Sequence, residues 1–180
     1  MMTSGDGQYH TNELDNLKPN KKLTPYITID WSGIQALVDH PQEVDKPQAQ
    51  WLIPSSLPSR TAKAQEATGY FHLLWADLDS NPPPLPELAT ILEEFIGDGD
   101  YEIYNTKSAT EGNQKARVLI PLTEPLRAFD WSLSQEILNS KFQTLGIKPD
   151  PANMGCSQLC YLPNKGKFYS AISKRDGVRS

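Results

Sequence analysis

Long hydrophobic runs are missing from this chain. No apolar stretch approaches the roughly 20 residues needed to cross a bilayer, and the polar N-terminus lacks the hydrophobic segment of a signal peptide. Both absences lead us to expect a soluble, cytoplasmic protein with no membrane partner. Cysteine is scarce too, with only Cys156 and Cys160 in "CSQLC". On a strand the two would share a face but stand too far apart for a disulfide without bending the backbone. The three histidines, His10, His40 and His72, are scattered and make no ligand spacing with the cysteines, so zinc is not expected. Both thiols read as small buried hydrophobes. No internal repeat occurs.

Positive charge is also in short supply: the formal net charge is −5, unlike a protein that coats nucleic acid. The distribution is uneven, however. From residue 140 onward seven bases face two acids, a local surplus of five, and such a segment can meet phosphate despite the global sign.

What the chain does have is enough apolar area for a core, with 38% hydrophobic residues including 4 Trp, 7 Tyr and 5 Phe. Its 180 residues fit one ordinary domain. Residues 1–25 are polar and aperiodic and read as a flexible arm. Residues 26–172 read as the folded domain, and 173–180 as a basic tail or the start of a linker.

Within the domain, "DWSGIQALVDH" offers Asp30 as an N-cap and Trp31, Ile34, Leu37 and Val38 as an apolar face, which predicts a short helix. "QWLIPSSLPSRTAKAQEATG" holds a short strand, a loop and a polar segment with helical character. Strand "YFHLLWADLD" follows. Leu85, Leu88, Ile91, Leu92, Phe95 and Ile96 recur at helical spacing up to "GDGD". "YEIYNT" and "ARVLIPL" are β-branched and aromatic enough for strands. The next segment begins at Asp130 as N-cap and runs to Gly146 as a helix, and "SQLCYLP" reads as a last strand. Strand, helix, strand, strand, helix, strand is the order of a split βαβ arrangement. The expected fold class is therefore α+β, with a mixed or antiparallel central sheet and flanking helices.

Chemistry concentrates at the end of the strand "WADLD". Asp77 and Asp79 lie two residues apart, so an extended backbone points both carboxylates to one face while Leu78 points away. Like charges held so close are tolerated in solvent or around a cation, and oxygen clusters of this kind suit Mg²⁺ or Mn²⁺. A third acid, Asp150, stands between prolines in "IKPDPAN", directly before the last strand.

Taken in order, "WADLD", "YNTKSAT", "KARVLIPL" and "PDPANMGCSQLCYLP" resemble the motifs of the archaeo-eukaryotic primase superfamily, specifically the primase-polymerase domains of phage and plasmid replication proteins. The likeness runs from about residue 50 to 170. It implies a primase-polymerase architecture with an RRM-like palm and a two-metal nucleotidyl-transfer centre. Asp77, Asp79 and Asp150 would hold Mg²⁺ or Mn²⁺ between a primer 3′-hydroxyl and the α-phosphate of an incoming nucleotide. Lys107, Ser108 and Arg117 would contact the triphosphate. Single-stranded DNA template, nucleoside triphosphates and a helicase domain or protein are the implied partners. One departure stands out, because many members carry a histidine in the second block where "YNTKSAT" has Lys107 and Ala109.

Two functions follow from this reading. The first is template-dependent primer synthesis and extension. The second is a catalytically weakened primase-like module that binds nucleic acid in replication initiation. A rolling-circle nicking endonuclease is disfavoured because no His-x-His pair is present to bind its metal.

Overall fold

In a computed structural model that describes residues 1–7 and 24–180, the first half of the chain forms strands β1 (Met2–Asp6), β2 (Ile27–Ile29) and β3 (Gln50–Ile53), with helices α1 (Trp31–Asp39) and α2 (Ala62–Thr68). The expected N-terminal arm is corrected here. β1 lies between β2 and β3, antiparallel to both, and its residues Met2 to Gly5 are buried. The strand is polar yet satisfied: the Ser4 hydroxyl donates to the Trp51 carbonyl at 2.6 Å. Gly5 leaves room for the Trp51 ring, since a Cβ there would come within 2.6 Å of it. Burial without apolar alternation is what hides such a strand from periodicity. The rest of that arm, residues 8–23, lies outside the described residues. α1 starts as expected, with the Asp30 carboxylate accepting the Gly33 N–H at 2.8 Å, a bond that holds this carboxyl below its ordinary pKa.

The second half supplies β4 (Tyr70–Leu78), α3 (Leu85–Ile96), β5 (Tyr101–Asn105), β6 (Ala116–Arg127), α4 (Ala128–Thr144), β7 (Cys160–Tyr161), β8 (Ala171–Arg175) and β9 (Val178–Arg179). The strands assemble into two sheets whose ladders are antiparallel, β2-β1-β3-β7 and β4-β6-β5-β8-β9. β4 and β5 flank β6 and both run antiparallel to it, so α3 carries the chain across the intervening strand. The protein is thus α+β, and among the described residues it has four α-helices, none long and apolar enough to cross a membrane.

Three expectations about the later elements are corrected. α4 begins at Ala128, because β6 runs into it without a loop, and Asp130 sits in its first turn. The last motif strand does not join the central sheet: β7 is two residues long and pairs with β3. The supposed basic tail is a hairpin, β8–β9, added to the edge of β5.

Period-two alternation in β4 separates two cores. Phe71, Leu73 and Trp75 face the four-stranded sheet with Leu52 and Leu162, while Ala76 and Leu78 face α3 and α4 beside Leu88, Leu92 and Phe142. β4 is an edge strand, and side chains occupy its open hydrogen-bonding positions. The Trp75 N–H donates to Gln135 Oε1 at 3.2 Å, the Trp75 carbonyl accepts from Asn153 at 2.8 Å, and the Leu73 carbonyl accepts from the Trp131 indole at 2.8 Å. Capping an edge in this way blocks pairing with another chain, and it holds the end of β4, where the two acids stand, in a defined place.

Candidate functional site

A cleft of about 470 Å³ opens between the two sheets. Its floor is built from the end of β4, the end of β5 and the start of β6. Register determines the floor's chemistry: Asp77, Arg117 and Tyr104 lie side by side across β4, β6 and β5. Two residues further along, Lys115 approaches Asp79 at 3.3 Å, and the Thr106 N–H donates to the Lys115 carbonyl at 3.0 Å. Each acid therefore has a base beside it and a hydroxyl-bearing residue beyond.

Arg117 is buried and makes the tightest of these contacts. One guanidinium nitrogen meets Asp77 Oδ2 at 2.5 Å, and another donates to the Tyr161 carbonyl of β7, which ties the two sheets together. Burial is the largest single influence and works against its charge, but the Asp77 carboxylate together with Tyr104 and Cys160 more than offsets it and holds the guanidinium above its ordinary pKa. The Tyr104 hydroxyl, pushed up by burial, donates to the same Tyr161 carbonyl at 2.9 Å. Both cysteines are free and buried, and the Cys160 thiol is pushed up to about 12 by desolvation, which makes it unreactive at neutral pH. Three buried polar atoms on the floor lack a partner: Asp77 Oδ1, Arg117 Nε and Thr106 Oγ1. Buried orphans are costly unless something binds them.

The opposite wall comes from the four-stranded sheet and its flanks, with Lys46, Ala49, Tyr161, Leu162 and Asn164. Lys107 and Ser108, on the turn after β5, close one side. Lys107 reaches across to donate to the Val44 carbonyl and lies 3.7 Å from the Asp45 carboxylate. The loop after β7 passes directly over that turn. A Cβ on Gly166 would lie 2.1 Å from the Lys107 carbonyl oxygen, so only glycine allows the approach.

Five of the six residues singled out from sequence, Asp77, Asp79, Lys107, Ser108 and Arg117, line this one cleft. Asp150 is the exception. Its N–H donates to the Asp77 carbonyl at 2.8 Å, so its backbone stands next to the acid pair. Its carboxylate, however, accepts the Ala152 N–H at 2.9 Å and caps the 3₁₀ turn Pro151–Met154. Among the described residues no group of three or more His, Cys, Asp or Glu side chains is placed to hold a metal ion. The expected three-acid convergence is therefore corrected to a pair. The Arg117 guanidinium lines the cleft while engaging Asp77 and the Tyr161 carbonyl within the protein.

The basic surplus after residue 140 is mostly neutralised. Lys165 pairs with Glu43, Lys174 with Asp98, Arg175 with Asp39 and Glu102, and Arg179 with Glu93. Sequence reasoning missed Lys115, Lys46, Thr106 and Tyr161. Lys115 was legible, because "KAR" repeats at a strand start the one-face spacing that "DLD" has at a strand end. Lys46 carries no such signal.

The donor set can be tested for fit to a divalent cation. Asp77 and Asp79 share one face, and Asp77 keeps one buried oxygen without a partner. That suits a single Mg²⁺ or Mn²⁺ bound through one or two carboxylates and completed by water and a ligand's phosphates. A two-ion centre on three carboxylates does not fit these side-chain positions. No family model, no curated protein and no solved structure matches this chain.

Proposed function

We propose that the cleft binds a nucleoside triphosphate together with Mg²⁺ or Mn²⁺, and that the protein is a primase-polymerase-like nucleotidyltransferase acting in phage or plasmid replication. The observation that carries this reading is the floor of two adjacent carboxylates set among Lys46, Lys107 and Lys115. Acids alone would suit a bare cation, and bases alone a bare anion. Both together suit a metal–phosphate pair. The resemblance of the four sequence blocks to primase-polymerase domains supports the same chemistry.

In this reading Asp77 and Asp79 hold the ion, and Lys115 and Lys107 bear on the phosphates as point charges. Arg117 keeps Asp77 in position from below, with only Oδ1 turned free. A bound divalent ion would neutralise the charge that gathers on the transferring phosphoryl oxygens. Single-stranded DNA would serve as template, and a helicase domain or protein as partner. An RRM-like palm is the fold to which the β4-α3-β5-β6-α4 run corresponds in this reading.

A second reading is favoured by one specific observation, the capping role of the Asp150 carboxylate. With two acids in the site, the protein would bind nucleotide or nucleic acid without turnover. Incubation with single-stranded template, Mn²⁺ or Mg²⁺ and labelled nucleotides separates the two. Extended product that disappears in Asp79→Asn supports the enzyme. Binding of nucleotide or of the single-stranded template without product supports the binding module, and binding of neither overturns both.

A further inference from the structure

The cleft has two chemically different sides, and the aromatic ring on the second has no task in phosphate or metal binding. We infer that the ring of Tyr161 is the stacking platform for the base of the bound nucleotide, with Lys46 as its displaceable cover. This rests on the nucleotide reading above and adds the place where the base lies.

The ring is held firmly. β7 pairs Tyr161 with Trp51, and its carbonyl accepts from both Arg117 and Tyr104. Its neighbours Cys160 and Leu162 are buried, while Tyr161 is half-buried and lines the cleft beside Ala49. Strand alternation thus turns one aromatic face toward the opening. The Lys46 ammonium sits 5.2 Å from the ring centroid, on an exposed side chain. A cation on an exposed side chain is weakly held over a ring, and base–aromatic stacking is the stronger contact. A base entering the cleft therefore displaces the ammonium and releases Lys46 toward the phosphates.

The same wall explains which bases it accepts. The Asn164 amide on the same wall is held by the Val44 backbone, its Nδ2 donating to the carbonyl at 2.9 Å and its Oδ1 accepting the N–H at 3.1 Å. The Tyr161 platform itself recognises by stacking, and every base has a π-face. Purine and pyrimidine nucleotides are therefore both accepted by the platform.

The test titrates the protein in Mn²⁺ with ATP, CTP and inorganic tripolyphosphate, in the unaltered form and in Tyr161→Leu and Tyr161→Phe. Tyr161→Leu should lose about tenfold in affinity for ATP and CTP and keep its affinity for tripolyphosphate, and Tyr161→Phe should match the unaltered protein. Equal losses for all three ligands, or no loss for ATP, overturn the platform. Should Tyr161→Leu not fold, nuclear Overhauser contacts between the Tyr161 ring and adenine H2 and H8 in the unaltered protein give the same answer, and their absence overturns it. Failure of the unaltered protein to bind ATP at all overturns the nucleotide reading itself, an outcome distinct from intact ATP binding by Tyr161→Leu.

Discussion

Asp77 and Arg117 stand directly opposite each other on neighbouring strands, and the same guanidinium that meets Asp77 also holds the Tyr161 carbonyl of the other sheet. One side chain therefore serves both the acid pair and the junction of the two sheets that form the cleft. Replacing it by an apolar residue leaves Asp77 nearly buried without its cation. Arg117→Met should cost about 3–5 kcal/mol, the usual penalty for breaking a buried pair. Arg117→Lys keeps a charge but not the planar fork that spans two acceptors, so it should rescue only part of that loss. Urea unfolding measures both variants. A loss under about 1 kcal/mol for Arg117→Met would return Arg117 to the role of a free phosphate ligand.

The three acids should separate by function. Asp77→Asn and Asp79→Asn each remove a carboxylate from the cleft floor and should weaken Mn²⁺ binding by about tenfold or more. Asp150→Ala removes a cap from a short 3₁₀ turn and should cost about 1 kcal/mol of stability with little change in Mn²⁺ affinity. Calorimetric Mn²⁺ titration beside thermal melting gives both numbers. Equal loss of Mn²⁺ affinity in all three variants would show that the Asp150 carboxylate leaves its cap and joins the other two when the ion binds.

Far from the cleft, Arg175 clamps the C-terminal hairpin to α1 through Asp39 while also meeting the buried Glu102. A hydrogen bond from this guanidinium, above all, holds the Asp39 carboxyl below its ordinary range. A carboxyl lowered in the folded state stabilises the fold above its unfolded value, near about pH 3.9, and loses that contribution as pH falls through the lower folded value. Below about pH 4, the urea midpoint of the unaltered protein should therefore fall more steeply than that of Asp39→Asn. Parallel pH profiles would mean the pair contributes nothing in solution.

Sequence reading succeeded where periodicity and local chemistry coincide. α1 with its Asp30 cap, α3, and the strands carrying "WADLD", "YEIYN" and "ARVLIPL" stand where the pattern put them. It failed where burial is polar or pairing is long-range. β1 is buried through the Ser4 bond and a close Trp51–Gly5 contact, neither of which leaves a hydrophobic trace. β8 carries the buried Ser173 and Lys174 and the half-buried Arg175, whose partners Glu102 and Asp98 lie more than 70 positions away. At the site, backbone spacing correctly put Asp77 and Asp79 on one face. It could not reveal that the prolines around Asp150 direct its carboxylate into a cap, nor that Lys46 would arrive from the other sheet.

Lys107 stands on the turn after β5 at the mouth of the cleft, and its position there gives its charge a physical meaning. Its ammonium crosses the mouth of the cleft to the Val44 carbonyl and the Asp45 carboxylate. The pair is solvent-exposed, with 39% of the Lys107 side chain and 88% of that of Asp45 accessible, so it contributes at most about 1 kcal/mol. A triphosphate in the cleft presents several negative oxygens to the same ammonium and should outcompete one exposed carboxylate. Lys107→Ala should therefore leave the melting temperature and Mn²⁺ affinity nearly unchanged while weakening nucleotide binding by about tenfold. Asp45→Asn, which removes the competing carboxylate, should strengthen it slightly. The two variants move affinity in opposite directions only if Lys107 exchanges one anion for another. Unchanged nucleotide affinity in both would leave Lys107 as a strut between the two walls.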